Sequence, residues 1–199
     1  MKIAAVTVVV LVAAAFTSSP ARAGADGHVN FFIGQKSLDG DDWEPVEDQF
    51  EFGAVMSFGQ DDWPVHIAVD VLVSADEETV FDPFIGGNVK VTGATFEVAA
   101  GVRKIWKKGR VLPYLGAGVG VISAGLEVDD GFVSVDGEDA GFGVWAGGGV
   151  FWRLGSHFNL GLDARYSSAE VDLDFGSGIV ARDVSAGGLH YGLVAGFGW

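Results

Sequence analysis

Between residues 28 and 199, apolar side chains recur at every second position in eight separate segments, and the positions between them are small, polar or charged. A period of two belongs to a β-strand whose faces meet different surroundings. Val29, Phe31 and Ile33 alternate with Asn30, Phe32, Gly34 and Lys36. Val65, Ile67, Val69, Val71 and Val73 alternate with His66, Ala68, Asp70, Leu72 and Ser74. Leu189, Tyr191, Leu193, Ala195, Phe197 and Trp199 alternate with His190, Gly192, Gly196 and Gly198. A sheet that is apolar along one whole face needs cover for it. In hydrocarbon every backbone N–H and C=O has to be satisfied internally, which leaves helices and closed barrels. Residues 24–199 hold no apolar run that could span as a helix. The expected fold is all-β: an eight-stranded antiparallel up-and-down transmembrane β-barrel.

The spacing predicts strands at His28–Lys36, Gln49–Gly59, Val65–Ser74, Lys90–Lys104, Leu112–Ser123, Gly141–Arg153, His157–Ser167 and Val184–Trp199. The connections alternate in length. Gln60–Pro64, Ile105–Arg110 and Leu154–Ser156 are short; Leu38–Asp48, Ala75–Val89, Ala124–Ala140 and Ala169–Asp183 are long. Short turns at one end and long loops at the other is the pattern of an outer-membrane barrel with both termini periplasmic.

The first segment reads differently. Met1-Lys2, the apolar run Ile3 to Phe16 and the small-x-small Ala21-Arg22-Ala23 have the form of a secretory signal peptide. The run is too short for a membrane anchor. Residues 1–23 are therefore expected to be a cleaved leader, and 24–199 one barrel domain.

Net charge is −15, or −17 without Lys2 and Arg22, which argues against binding nucleic acid. Cysteine is absent, so disulfides, thiolate metal sites and thiol chemistry are excluded. Glycine numbers 31. Many glycines share one parity, for example Gly116, Gly118 and Gly120, which suits the inside of a narrow barrel filled by side chains from neighbouring strands. On that parity Glu51, Asp70, Glu97 and Asp163 stand against Lys36, Arg103, Arg153 and Arg165, with His66 and His190 nearby. A paired polar network is expected in the lumen, because unpaired charges away from water cost several kcal/mol each. Phe58, Trp63, Trp106, Trp152, Phe158, Phe197 and Trp199 gather toward the short turns, and Phe52, Phe142, Tyr166 and Tyr191 toward the long loops, as two interfacial girdles would.

These features resemble the small outer-membrane barrels of Gram-negative bacteria, the opacity-protein and OmpA- or OmpW-like barrel domains. The likeness rests on the leader, the alternating strands, Pro113-Tyr114-Leu115-Gly116-Ala117-Gly118-Val119-Gly120 and the closing Tyr191-Gly192-Leu193-Val194-Ala195-Gly196-Phe197-Gly198-Trp199. It implies location in the outer membrane and a last strand read by the barrel assembly machinery, although Trp199 stands where that signal usually carries Phe. It implies little about activity.

No hydrolytic cluster is evident along single strands. His66 and Asp70 share a face but lie about 13 Å apart along the strand; a triad assembled across strands stays open. The expectation is no enzyme and no cofactor. The acidic loops, such as Asp39, Asp41, Asp42, Glu44, Glu47 and Asp48, lack a calcium-loop pattern and suit at most weak Ca²⁺ or Mg²⁺ binding. The role read from the sequence is a monomeric structural or surface-interacting barrel in contact with lipid and lipopolysaccharide. The alternative is a narrow conduit for small, apolar solutes, and a lipid A-modifying enzyme stands behind both.

Overall fold

The computed structural model describes residues 24–83, 86–131, 134–175 and 180–199. The expected leader, residues 1–23, lies outside the described residues. The strands are β1 (Ala25–Ser37), β2 (Asp48–Gln60), β3 (His66–Asp82), β4 (Gly87–Ile105), β5 (Val111–Asp129), β6 (Ser134–Leu154), β7 (Phe158–Asp174), β8 (Val180–Ser185) and β9 (Gly188–Gly198). A four-residue helix, α1 (Gly40–Trp43), lies between β1 and β2, with the Asp39 side chain accepting from the Asp41 N–H at its start.

From β1 to β8 each strand pairs antiparallel with the next in sequence, and β9 pairs instead with both β7 and β1. That last pairing closes the ring, so over its lower part the wall has no free edge. At the end that carries the short turns, Gly27 and Trp199 exchange backbone hydrogen bonds of 3.3 and 3.0 Å. A Cβ on Gly27 would run into the Trp199 indole. The eighth stave is β8 and β9 together, interrupted at Ala186 and Gly187.

Sidedness follows the sequence parity. Phe31 is 66% exposed and Phe142 88%, while Asn30, Asp70 and His190 are at most 1% exposed. So large an apolar surface around a closed ring is the mark of a wall covered by lipid. Met56, on the outward parity, is fully buried because Val29, Phe58, Val69 and Phe96 pack around it on the outer surface.

The long loops are the main correction to the sequence reading. Segments 75–89, 124–140 and 169–183 are largely strand: β3 runs on to Asp82, β5 to Asp129, β6 begins at Ser134 and β7 reaches Asp174. The sixth strand, expected over Gly141–Arg153, is 21 residues long. Along β4, β5 and β7 the sidedness reverses in the upper part, whereas the extension of β3 is largely exposed on both faces. Val89, Val91, Ile122, Ala124, Ala169, Val171 and Leu173 point inward and are buried, with Leu38, Trp43, Val46, Val184 and Ala186 packed into the same cluster. Glu77, Lys90, Asp136, Glu138, Glu170 and Asp172 are exposed.

The ring also divides here. The β2–β3 pairing ends at Phe50↔Ala75 and the β6–β7 pairing at Gly143↔Ala169. Beyond those points β3 to β6 form one sheet and β7–β8 a separate hairpin. The Asp139 carboxylate accepts from the Asp172 N–H at 2.9 Å across the gap between them. On the other side β8 is paired with β7 alone, and α1 covers it. The Trp43 indole donates to the Ser185 carbonyl at 2.7 Å, and the Ser185 N–H donates to Asp42 Oδ2 at 2.8 Å.

Candidate functional site

Three layers of inward side chains fill the barrel. The first, near the short-turn end, is aromatic and aliphatic. Phe32, Val55, Leu72, Ile105, Leu112, Tyr114, Phe151 and Val194 form one buried cluster. Phe151 stacks on Tyr114 at 4.3 Å between centroids and on His28 at 5.5 Å. Above it lies the Trp145 indole, 4% exposed. The glycines of β5 make its slot: a Cβ on Gly116 or Gly118 would come within 3.0 or 2.8 Å of that indole. Arg103 and Arg165 lie 5.8 and 4.8 Å from the Trp145 ring centroid, positions suited to cation–π attraction.

The second layer is ionic. Arg103 Nη2 donates to both oxygens of Asp70, at 3.1 and 2.9 Å, and Arg165 Nη1 donates to Asp70 at 3.2 Å. Arg165 also pairs with Glu97, and the Tyr114 hydroxyl donates to Asp163. His190 joins this layer to the next: its Nδ1 lies 2.8 Å from Glu51 and its Nε2 2.8 Å from Ser167 Oγ. The Lys36 ammonium donates to Thr95 Oγ1 and to the Ala186 carbonyl, each at 2.9 Å, and Ser74 links Thr95 to Gln49. Three cations, Lys36, Arg103 and Arg165, thus stand among four buried carboxylates, Glu51, Asp70, Glu97 and Asp163. The third layer is the apolar cap around Trp43 and Val46.

Of the residues expected in the lumen network, Glu51, Asp70, Glu97, Arg103, Asp163 and Arg165 are brought together. Arg153 is not. It is half-buried toward the short-turn end, and its Nε and Nη2 have no hydrogen-bond partner among the described residues. The interfacial aromatics Trp106, Trp152, Phe158, Phe197 and Trp199 all stand on the outside. Phe158 meets Phe197 edge to face at 5.9 Å, and Phe58 lies 6.5 Å from Trp199.

Sequence reading passed over Trp145 and Phe151, which fill the lumen. The parity of β6 carried the signal, since both fall on the same count as Gly143, Gly147 and Gly149. It also missed Ser167–His190–Glu51, which arises across three strands and has the hydrogen-bond order of a hydrolase triad. All three residues are at most 1% exposed, between the aromatic floor and the cap. What this arrangement can do is hold a proton and lock ring positions. Among the described residues no group of His, Asp and Glu has the geometry to hold a metal ion.

At the short-turn end a cleft of about 340 Å³ is lined by Asp26, Asp61, Trp63, His66, Ile105 and the run Lys104, Trp106, Lys107, Lys108. Asp26 is engaged by His66 Nε2 at 2.5 Å and by Lys107 at 3.1 Å, and Lys107 reaches Asp61 at 2.7 Å. Burial pulls the Lys107 ammonium toward deprotonation, but the hydrogen bonds to Asp61 and Asp26 outweigh it and raise its pKa above the ordinary lysine value.

A family model described as outer membrane protein beta-barrel domain matches residues 3–197. No curated protein is significantly similar in sequence. Among solved structures, Ail of Yersinia pestis, crystallised with the heparin analogue sucrose octasulfate, superposes with a TM-score of 0.59 at 14% identity. The superposition covers 88% of this chain and 99% of that one. A major outer membrane protein of Thermus thermophilus gives 0.55 at 10% identity, covering 88% and 98%. Neisserial surface protein A gives 0.52 at 17% identity, covering 86% and 96%. At these identities the likeness is one of fold.

Proposed function

Since this chain belongs to the outer membrane protein beta-barrel domain family, we propose that it serves as a structural, surface-interacting barrel whose work is done at the long-loop end. In this reading both termini and the short turns face the periplasm, and the hairpin extensions stand outside the cell. Lipid and lipopolysaccharide surround the wall, and the barrel assembly machinery engages the last strand. One observation carries the proposal: the lumen is filled from floor to cap, so material and force have the outer surface to act on, not the interior. The hairpins are built as a folded unit with its own core, which suits a rigid surface for contact.

The sign of the charge narrows the partner. Ail is described in complex with a polyanion. The hairpins here expose Glu77, Asp136, Glu138, Glu170 and Asp172, with Glu127 and Asp129 half-buried beside them. They favour a basic partner, or lipopolysaccharide phosphates bridged by divalent cations.

Purified protein in planar bilayers is expected to show no resolvable conductance; discrete openings would return the conduit reading to the front. Orientation is read separately. The chain has no cysteine, so single substitutions report cleanly. A membrane-impermeant maleimide on intact cells should label Ser134→Cys and spare Asp62→Cys; the reverse result inverts the topology. An unchanged lipid A mass spectrum on expression is the outcome expected of a protein without lipid-modifying activity.

A further inference from the structure

The basic residues of this acidic chain are not spread evenly. Lys104, Lys107, Lys108 and Arg110 fall within one short-turn region, at and after the end of β4, whereas carboxylates dominate the opposite end. Lys107 is committed to Asp26 and Asp61. Lys104 donates to the Pro64 carbonyl at 2.6 Å, which fixes its ammonium at the cleft without neutralising it. Lys108 and Arg110 are exposed and have no carboxylate partner among the described residues. The carboxylates that line the cleft, Asp26 and Asp61, are already engaged by His66 and Lys107.

Indole rings stand among these cations. Trp63 and Trp106 line the cleft and are 42% and 38% exposed, and Trp152 pairs with Val111 directly after Arg110. Exposed tryptophans on the wall of a membrane barrel mark the depth of the lipid headgroups. Free ammonium and guanidinium groups at that depth face phosphate esters, for which they are suited donors. We infer that the cleft between the β2–β3 and β4–β5 turns binds the phosphate of an anionic phospholipid headgroup, with Lys104 and Lys108 on the phosphate, the exposed Arg110 of the same turn adding to the positive field beside the cleft, and Trp63 and Trp106 against the glycerol and upper acyl chain. The proposed orientation enters only in assigning that lipid to the periplasmic leaflet; the binding itself is independent of it.

The test uses the full barrel reconstituted in phosphatidylcholine vesicles, where both leaflets are probed and orientation does not affect the reading. Tryptophan quenching by bromine-labelled phosphatidylglycerol is compared with quenching by bromine-labelled phosphatidylcholine. In low salt the native protein is expected to prefer phosphatidylglycerol about fivefold, a modest value for several cations near a charged surface. The preference should shrink in about 0.5 M salt through screening. It should fall close to unity in the triple variant Lys104→Gln, Lys108→Gln, Arg110→Gln, and by a smaller factor in Lys108→Gln alone, which is exposed and should not disturb folding. Lys90→Gln, at the other end, should leave it unchanged. No preference in the native protein, or one that survives the triple variant, overturns the inference. So does displacement of the bound lipid by millimolar inorganic phosphate, which would make this a site for soluble anions.

Discussion

The lower and upper halves of the same strands solve opposite problems. Along β7, Phe158, Leu160, Leu162 and Tyr166 face outward and Asn159, Asp163 and Arg165 face inward; a few residues later Ser168, Glu170, Asp172 and Asp174 face outward and Ala169, Val171 and Leu173 inward. The backbone continues its alternation without a break, and only the chemistry changes phase. The lower half is covered by lipid and keeps its charges inside, paired except at Arg153 near the short-turn end. The upper half is covered by water and keeps an apolar core inside. The medium at each level, not the strand, decides which parity is apolar.

The largest expected contrast lies in the ion pairs. Asp70→Leu strands Arg103 in the lumen and removes one partner of Arg165, which should cost about 3–5 kcal/mol. Glu77→Ala breaks the Lys90 pair of the upper half, whose side chains are 48% and 54% exposed, and should leave stability nearly unchanged because water and salt screen that pair. Urea unfolding in lipid vesicles measures both; equal losses would mean that the lumen network bears no special weight.

Next comes the phase change itself. Leu162→Arg places a charge in hydrocarbon and should cost about 2–4 kcal/mol. Glu170→Arg, on the same face of the same strand, should stay within about 0.5 kcal/mol. If Glu170→Arg proves as harmful, the lipid boundary has been drawn too low.

Glycines give a smaller pair of effects. A Cβ on Gly118 would strike the Ala100 carbonyl oxygen and approach Trp145 Nε1 to 2.8 Å, so Gly118→Ala should cost about 1–3 kcal/mol. Gly125, further up β5, has its nearest neighbours at 3.6 and 3.7 Å. There alanine should be tolerated and should stabilise by about 0.5 kcal/mol through the unfolded chain. Heat-modifiability midpoints of the two variants are the comparison to make.

The smallest effect is a proton. Backbone N–H groups of Asp172 and Ala140 hold the Asp139 carboxyl below its ordinary pKa. A group lowered on folding adds stability above its unfolded pKa and loses it as pH falls through the folded value. The Asp172 amide should therefore exchange faster with deuterium as pH drops through that range, beyond the intrinsic change in exchange rate. Asp139→Asn should remove that acid dependence.

The lower half was legible in the sequence because lipid demands an uninterrupted apolar parity, which Phe31, Ile67, Val119 and Leu193 supply. The upper half was not. Asp76-Glu77-Glu78-Thr79 reads as loop when the eye follows the outward parity, yet on the paired strand Val91, opposite Glu78, and Val89, opposite Val80, keep the period of two on the inward one. The charged members of the lumen could be named from parity alone. Their partners could not, because Ser167, His190 and Glu51 meet through the register of three strands, and pairing register is not local information. Arg153 shows the converse: correct parity, wrong height, and therefore no place in the network.

The contact of α1 with β8 joins an early segment of the barrel to one of the last. The Trp43 indole N–H and the Asp42 carboxylate are made early and lack these hydrogen-bond partners until Ser185 is in position. Completion of the C-terminal stave is thus what fastens the N-terminal loop, and a barrel stalled before that point would leave its upper rim unlatched.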